Sequence, residues 1–166
     1  APADAKGARM STAPEPKLDA ETLVADLARA GRKAQRALAR MDDAGKAAAL
    51  RAAASALRRG GKRILAANAQ DIAAGEARGL TKALLDRLRL DEGRLEGMAA
   101  AVEAVAALPD PVGEVISHST VPSGLDLTRV RIPIGLIGIV YESRPNVTAD
   151  AAALCVRAGN AALLRG

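Results

Sequence analysis

Cys155 carries the side chain in this sequence that is best suited to covalent catalysis, because a thiolate is a strong nucleophile. It is the only cysteine among the 166 residues, which excludes an internal disulfide and is typical of a reducing compartment. Ala151 and Leu154 accompany it on the apolar side of a predicted helix. A buried thiol without an activating base behaves as a small hydrophobic side chain. We therefore predict that Cys155 is a core residue.

A polar loop, ESRPN at 142–146, follows the most apolar run of the chain, IGLIGIVY at 134–141. Such a run predicts a strand buried on both faces, as in a parallel sheet. Ligands bind at the carboxyl ends of parallel strands in open α/β sheets, so this loop is a candidate binding site. Gly135 and Gly138 lie inside the predicted strand and not after it. They therefore do not form a dinucleotide fingerprint and instead favour close packing of a helix on the strand.

Two further polar residues, Arg144 and His118, are of types that bind ligands. Arg144 could bind a phosphate or carboxylate of a substrate, or it could form a structural ion pair near Glu142; its place in the loop favours binding. His118 stands in a predicted hairpin with no second His or Cys nearby in sequence, so no metal site is expected.

The first two-thirds of the chain is predicted to be helical. Asp19, Thr81 and Asp91 are candidate N-caps, because short polar side chains accept the free N–H groups of an opening turn. Gly60-Gly61 is predicted to separate two helices, and Pro109 to end the last helix of this section.

From residue 113 the pattern changes. Residues 113–133 predict a β-hairpin around the turn signal Pro122-Ser123-Gly124. The strand at 134–141, a helix at 148–158 and a second apolar strand at 161–165 then form a βαβ unit. The predicted fold class is therefore α/β.

These patterns divide the chain into four parts: a disordered N-terminal extension at 1–18, a helical section at 19–112, the hairpin at 113–133 and the start of a βαβ domain at 134–166. Met10 is a plausible native start, so residues 1–9 could be an upstream extension.

Composition limits the partners. The chain carries a net charge of +5. It has no Phe or Trp, so its core must consist of Leu, Val, Ile and Ala. It therefore also lacks the aromatic side chains on which nucleic-acid bases stack. Interleaved Asp and Glu favour a solvated helix face over a nucleic-acid patch, although a basic helical module at 19–108 binding nucleic acid remains an alternative. No apolar run is long enough to span a bilayer and no signal peptide is evident, so we expect a cytoplasmic protein with no membrane partner.

Residues 133–166, PIGLIGIVYESRPNVTADAAALCVRAGNAALLRG, closely resemble the signature region of glutamate-5-semialdehyde dehydrogenases, members of the aldehyde dehydrogenase superfamily. ANAQD at 67–71, LLDRLRL at 84–90 and DPVG at 110–113 match that family in the same order. The resemblance covers residues 21–166, and YESRPNVTAD is its most specific string.

This resemblance implies an incomplete aldehyde dehydrogenase-like fold, in which the βαβ unit begins a Rossmann-like NADP-binding domain. The hairpin resembles the arm that joins subunits in homo-oligomers. The implied reaction is the NADPH-dependent reduction of the small molecule L-glutamyl 5-phosphate to L-glutamate 5-semialdehyde and phosphate, in proline biosynthesis. In such enzymes a cysteine of a later catalytic domain forms a thioacyl intermediate. The 166-residue chain alone is therefore expected to lack the catalytic cysteine and to be inactive.

The resemblance also implies cofactor contacts, which fall on Glu142, Ser143, Arg144, Pro145, Asn146 and Arg165. Arg165 stands where the superfamily has a lysine that contacts the cofactor ribose. Its guanidinium could bind a 2′-phosphate and favour NADP over NAD, or it could extend into solvent. Asn146 could donate to an oxyanion, or it could cap the following helix. Another aldehyde or acyl-phosphate dehydrogenase remains an alternative.

Overall fold

The computed structural model describes residues 19–166, so the extension predicted at 1–18 lies outside the described residues. Within this part of the chain, a helical section precedes a hairpin and a βαβ unit, which confirms the predicted α/β class. The elements are α1 (Ala20–Leu38), α2 (Asp43–Arg59), α3 (Gly61–Ala77), α4 (Lys82–Leu88), α5 (Glu92–Ala107), β1 (Val115–Thr120), β2 (Asp126–Val130), β3 (Leu136–Val140), α6 (Pro145–Arg157) and β4 (Ala161–Arg165).

Side-chain caps define several helix starts. The Thr81 hydroxyl accepts a hydrogen bond from the Leu84 N–H at 3.4 Å, and the Asp91 carboxylate accepts one from the Arg94 N–H at 2.7 Å, as predicted. Asp19 occupies the N-cap position of α1 without making a capping bond. α2 and α3 meet at Gly60-Gly61, where the sequence predicts the break.

The core lies where α2, α5 and α6 pack together. Alanine dominates it, which brings the helix backbones close to one another without aromatic side chains. Its buried members are Leu50, Ala54, Ala99, Val102, Ala106 and Ala153.

Two buried cations cross the edge of this core, and we call Lys46, Asp110, Arg157 and Asp43 the ionic seam. Lys46 is 1 % exposed and its Nζ lies 2.6 Å from the Asp110 carboxylate. Arg157 is also buried; its Nε donates to the Leu108 carbonyl at 2.8 Å and its Nη2 pairs with Asp43. The seam joins the start of α2, the α5–β1 loop and the end of α6.

The environment of Asp110 lowers the pKa of its carboxyl group. Partial burial raises this pKa, but the hydrogen bonds from Lys46 and the Val112 N–H, together with the charges of Lys46 and Arg157, outweigh that effect. Asp110 is therefore held in its charged form by the two buried cations.

β3 and β4 are parallel, with Leu136 opposite Ala161 and Val140 opposite Arg165. α6 ends in a Schellman motif before β4: Gly159 has φ +71°, and the N–H of Asn160 donates to the Cys155 carbonyl at 2.8 Å. The predicted βαβ unit is confirmed.

Two details of the strand prediction are wrong. β3 is not buried on both faces, since none of its five residues is buried and Val140 is 83 % exposed. No atom lies within 4 Å of a Cβ placed on Gly138, whereas a Cβ on Gly31 of α1 would meet Leu136 Cδ1 at 2.7 Å. A Cβ on Gly135 would meet Arg32 Nη1 of α1 at 3.0 Å, so the prediction of close helix packing holds at Gly135 and fails at Gly138.

β1 and β2 form the predicted antiparallel hairpin, with His118 opposite Thr128. Every residue of both strands is exposed, and Leu125 in their connection is exposed as well. The His118 ring nitrogen hydrogen-bonds the Thr128 hydroxyl at 3.0 Å.

Candidate functional site

The loop after β3 passes directly into α6, which begins at Pro145, earlier than the predicted start at residue 148. Proline suits the first helical position because its fixed φ is already helical and no N–H is needed there. Arg144 is the N-cap residue and makes no capping bond through its side chain. Asn146 lies inside the helix, where its amide donates to Asp150 Oδ2 at 3.1 Å. The interpretation of Asn146 as the N-cap is therefore wrong.

Ser143 sits at the centre of this loop in a left-handed conformation, with φ +49°. A non-glycine residue adopts this conformation at a cost of about 1–3 kcal/mol, and such residues cluster at ligand sites. The residues on its two sides line different cavities.

The first cavity, which we call the sheet cleft, opens at the carboxyl ends of β3 and β4. It has a volume of about 1030 Å³. Its lining residues are Asp71, Arg78, Leu80, Leu88, Val140, Tyr141, Glu142, Ser143, Arg165 and Gly166. Three predicted site residues, Glu142, Ser143 and Arg165, therefore share one cavity.

Sequence reasoning missed Arg78 in the sheet cleft. It caps the C-terminus of α3, and its Nε donates to the Ala74 carbonyl at 3.2 Å. The ANAQD string, whose Asp71 also lines the cleft, indicated that α3 resembles the family but gave no reason to place it beside Arg165.

The second cavity, which we call the arginine cleft, has a volume of about 580 Å³. Its lining residues are Asp86, Arg87, Arg89, Leu90, Arg94, Gly97, Met98, Ala101, Arg144, Pro145, Asn146 and Asp150. The predicted residues Arg144, Pro145 and Asn146 thus lie here and not with Glu142. The structure divides the six predicted residues between two neighbouring cavities that share one loop.

The wall of the arginine cleft between α4 and α5 is fixed by hydrogen bonds. Arg94 donates to the carbonyls of Asp86 and Arg89 at 2.5 and 2.8 Å, and it forms an ion pair with the Asp86 carboxylate at 3.1 Å. The buried Asn68 accepts from the Leu90 N–H at 2.7 Å and donates to the Leu88 carbonyl at 2.8 Å. The backbone that carries Arg87 and Arg89 is therefore held in place on both sides.

Three arginines of this cleft have no such role. Within residues 19–166, Arg87, Arg89 and Arg144 form no ion pair, so the alternative of a structural ion pair between Arg144 and Glu142 is wrong. All three are exposed to the cleft or to solvent.

Relatives of known name match most of the chain. A gamma-glutamyl phosphate reductase of Novosphingobium aromaticivorans is 64 % identical over 158 residues, which are 95 % of this chain and 37 % of that protein. One of Paramagnetospirillum magneticum is 56 % identical over 148 residues, 89 % of this chain and 35 % of that protein. No family model matches the chain.

Solved structures agree with these relatives. The crystal structure of gamma-glutamyl phosphate reductase from Thermotoga maritima superposes with a TM-score of 0.81 at 42 % identity, covering 86 % of this chain and 34 % of that one. The Saccharomyces cerevisiae structure of the same name gives 0.80 at 37 % identity, covering 85 % and 36 %. The chain is similar to gamma-glutamyl phosphate reductases. It spans little more than a third of the length of the relatives it matches, and nothing among them favours the nucleic-acid-binding alternative.

Cys155 does not line either cleft of this reductase-like chain. It is buried on α6, and burial raises the pKa of its thiol. A raised pKa leaves less thiolate at neutral pH, so the structure confirms the prediction that Cys155 is a core residue.

The described residues contain neither a metal-binding cluster nor a membrane-spanning helix. Among residues 19–166, no cluster of three or more His, Cys, Asp or Glu side chains could hold a metal ion. In the same range, no helix combines the length and apolar character that a membrane span requires.

Proposed function

We propose that the protein carrying this chain reduces L-glutamyl 5-phosphate to L-glutamate 5-semialdehyde with NADPH and releases phosphate, in cytoplasmic proline biosynthesis. The observation that carries the proposal is the 64 % identity to a gamma-glutamyl phosphate reductase over nearly the whole chain. The cavities at the loop 142–146 support it, because a two-substrate reaction needs a place for each substrate.

The sheet cleft is the proposed cofactor site. Its position at the carboxyl ends of two parallel strands is typical of nucleotide binding in α/β sheets, and its volume of about 1030 Å³ is the larger of the two. Arg165 and Arg78 supply guanidinium groups, which match the geometry of a phosphate. When bound, NADPH supplies the hydride; the residues of the cleft bind and orient it. We expect the two arginines to favour NADPH over NADH through the 2′-phosphate.

The nucleophile is proposed to lie outside the described chain. Cys155 is buried and its pKa is raised, so it lacks both the access and the thiolate fraction that attack on an acyl phosphate requires. We expect the complete gene product carrying Cys155→Ala to keep the turnover of the wild type. A complete loss of turnover with an unchanged melting temperature would contradict this assignment.

The exposed hairpin is the proposed contact between subunits of a homo-oligomer. Its strands expose Val115, Ile116 and Leu127, which a partner would cover. Light scattering of the complete gene product with Ile116→Lys and Leu127→Lys should show a smaller assembly than the wild type. An unchanged mass would show that the hairpin does not contribute to the subunit interface.

The reaction itself is tested in the oxidative direction, in which NADP, inorganic phosphate and glutamate 5-semialdehyde are the reactants. NADPH formation by the complete gene product should depend on all three. Arg165→Ser and Arg78→Gln should raise the KM for NADP more than the KM for NAD, whereas Arg51→Gln, on the exposed surface of α2, should change neither. NADPH formation that does not require phosphate would overturn the proposed reaction.

A further inference from the structure

The arginine cleft holds more positive charge than its own residues neutralise. Four arginines and two aspartates line it, and the one ion pair among these six residues joins Arg94 to Asp86. Within residues 19–166, Arg87, Arg89 and Arg144 form no ion pair, and Asp150 is the one other carboxylate that lines the cavity. Like charges gathered in one cleft repel each other and raise the local concentration of anions.

Two of these arginines reach the cleft from distant parts of the chain. Arg87 lies near the end of α4, and Arg144 precedes α6. Their guanidinium groups bind carboxylates and phosphates in a bidentate manner, which a solvated surface lysine does less well. Unpaired arginines from two elements that line one cavity are suited to binding an anion.

The cleft also offers a carboxylate. Asp150 is only partly exposed, and one of its oxygens accepts the Asn146 amide hydrogen bond. Its second oxygen has no hydrogen-bond partner within residues 19–166, so it can accept a further donor such as an ammonium group. Anion-binding and ammonium-binding groups in one cavity match an amino acid that carries additional negative charge.

We propose that the arginine cleft binds the amino-acid substrate of this reductase, with Arg87 and Arg144 holding its anionic groups and Asp150 its α-ammonium group. This inference rests on the proposed function and gives a binding site to the second substrate of the proposed reaction. The volume of about 580 Å³ suits a small molecule, and the shared loop brings it next to the proposed cofactor site. The hydrogen bonds of Arg94 and Asn68 hold the arginine-bearing wall in advance of binding.

The inference is tested with the complete gene product in the oxidative assay. Arg87→Gln and Arg144→Gln should each raise the KM for inorganic phosphate or for glutamate 5-semialdehyde by about 10- to 100-fold, as expected for the loss of a hydrogen bond between charged groups. The KM for NADP should stay within about twofold, which corresponds to a change well below that of a lost charged hydrogen bond. Arg144→Lys should recover part of the affinity because it restores the charge without the fork of donors.

Asp150 is tested through the amino group of the substrate. The wild type should prefer glutamate 5-semialdehyde to glutaric semialdehyde, which lacks the amino group. Asp150→Asn should lose most of this preference while its activity on glutaric semialdehyde is retained. Equal discrimination by the wild type and by Asp150→Asn would remove Asp150 from the site.

The outcomes separate this inference from the proposed function. A wild type without phosphate-dependent NADP reduction would overturn the proposed function. An active wild type whose Arg87→Gln and Arg144→Gln variants keep every KM would overturn the arginine cleft alone. Titration calorimetry with inorganic phosphate provides a measurement independent of turnover, in which the two variants should bind more weakly than the wild type and the control Arg51→Gln should not. Melting curves confirm that each variant is folded.

Discussion

The ionic seam and the arginine cleft contain the same kinds of residues and use them in opposite ways. In the seam, Lys46 and Arg157 are buried, and a carboxylate or carbonyl oxygen meets each of them. In the cleft, Arg87 and Arg144 are exposed and meet no carboxylate of the described chain. A buried cation must be compensated by the fold itself, whereas an exposed cation without a partner remains free to bind a ligand. Whether a cation has partners within the fold therefore distinguishes a structural role from a ligand-binding role better than its residue type does.

The largest expected effect lies in the seam. Asp110→Ala leaves the Lys46 ammonium, whose side chain is 2 % exposed, without a counter-charge, and we expect a loss of about 3–5 kcal/mol in the free energy of unfolding. The double variant Lys46→Met with Asp110→Ala should regain much of that loss, because an apolar side chain of similar length fills the space. Denaturant unfolding checks both. A single variant as stable as the wild type would show that solvent reaches Lys46.

A smaller loss is expected at the other cation. Arg157→Met removes the donors to the Leu108 carbonyl, and the loss of a hydrogen bond from a charged group costs about 1.5–3 kcal/mol. Asp43 is largely exposed and is solvated when its partner is lost. Denaturant unfolding should therefore rank Arg157→Met between Asp110→Ala and the wild type. A loss equal to that of Asp110→Ala would mean that Asp43 depends on Arg157 more than its exposure indicates.

The seam should also make stability depend on acid. The folded-state pKa of Asp110 lies below its usual value of 3.8, so its stabilising contribution is complete above pH 3.8 and is lost as the pH falls through the lower folded-state value. The stability difference between the wild type and Asp110→Asn should hence be constant near neutral pH and shrink in strong acid. Thermal melts over this range provide the measurement. A difference that grows on acidification would show that the folded-state pKa of Asp110 is raised and not lowered.

The smallest effect on folding is expected in the cleft. Arg87→Gln together with Arg144→Gln should change the free energy of unfolding by no more than about 0.5 kcal/mol, because neither side chain has an ion-pair partner among residues 19–166 to lose. Arg94→Gln is the matched comparison, since it removes an ion pair and two hydrogen bonds to carbonyls of the same wall. If the double variant were as destabilised as Arg94→Gln, the contrast between seam and cleft would fail.

The sequence predicted local features well. The capping side chains of Thr81 and Asp91, the break at Gly60-Gly61 and the βαβ unit follow from rules that act over a few residues. The start of α6 at Pro145 could also have been predicted from the sequence, since proline favours the first helical position.

Contacts between distant segments were not predictable in the same way. Lys46 stands in an alanine-rich helix, and nothing near it indicates a partner 64 residues later at Asp110. The division of the loop 142–146 between two clefts depends on how α3, α4 and α5 pack, which brings Arg78 to one side and Arg87 to the other. A local sequence pattern does not indicate how such distant segments pack.

The left-handed backbone of Ser143 has a consequence for how the two clefts lie relative to each other. One strained residue separates the wall shared with the proposed cofactor from the wall shared with the proposed substrate. The dihedral angles of Ser143 therefore contribute to the relative orientation of the two parts of the loop, residues 142–143 and residues 144–146. Glycine at this position would relieve the strain and at the same time allow the two parts of the loop a wider range of relative orientations.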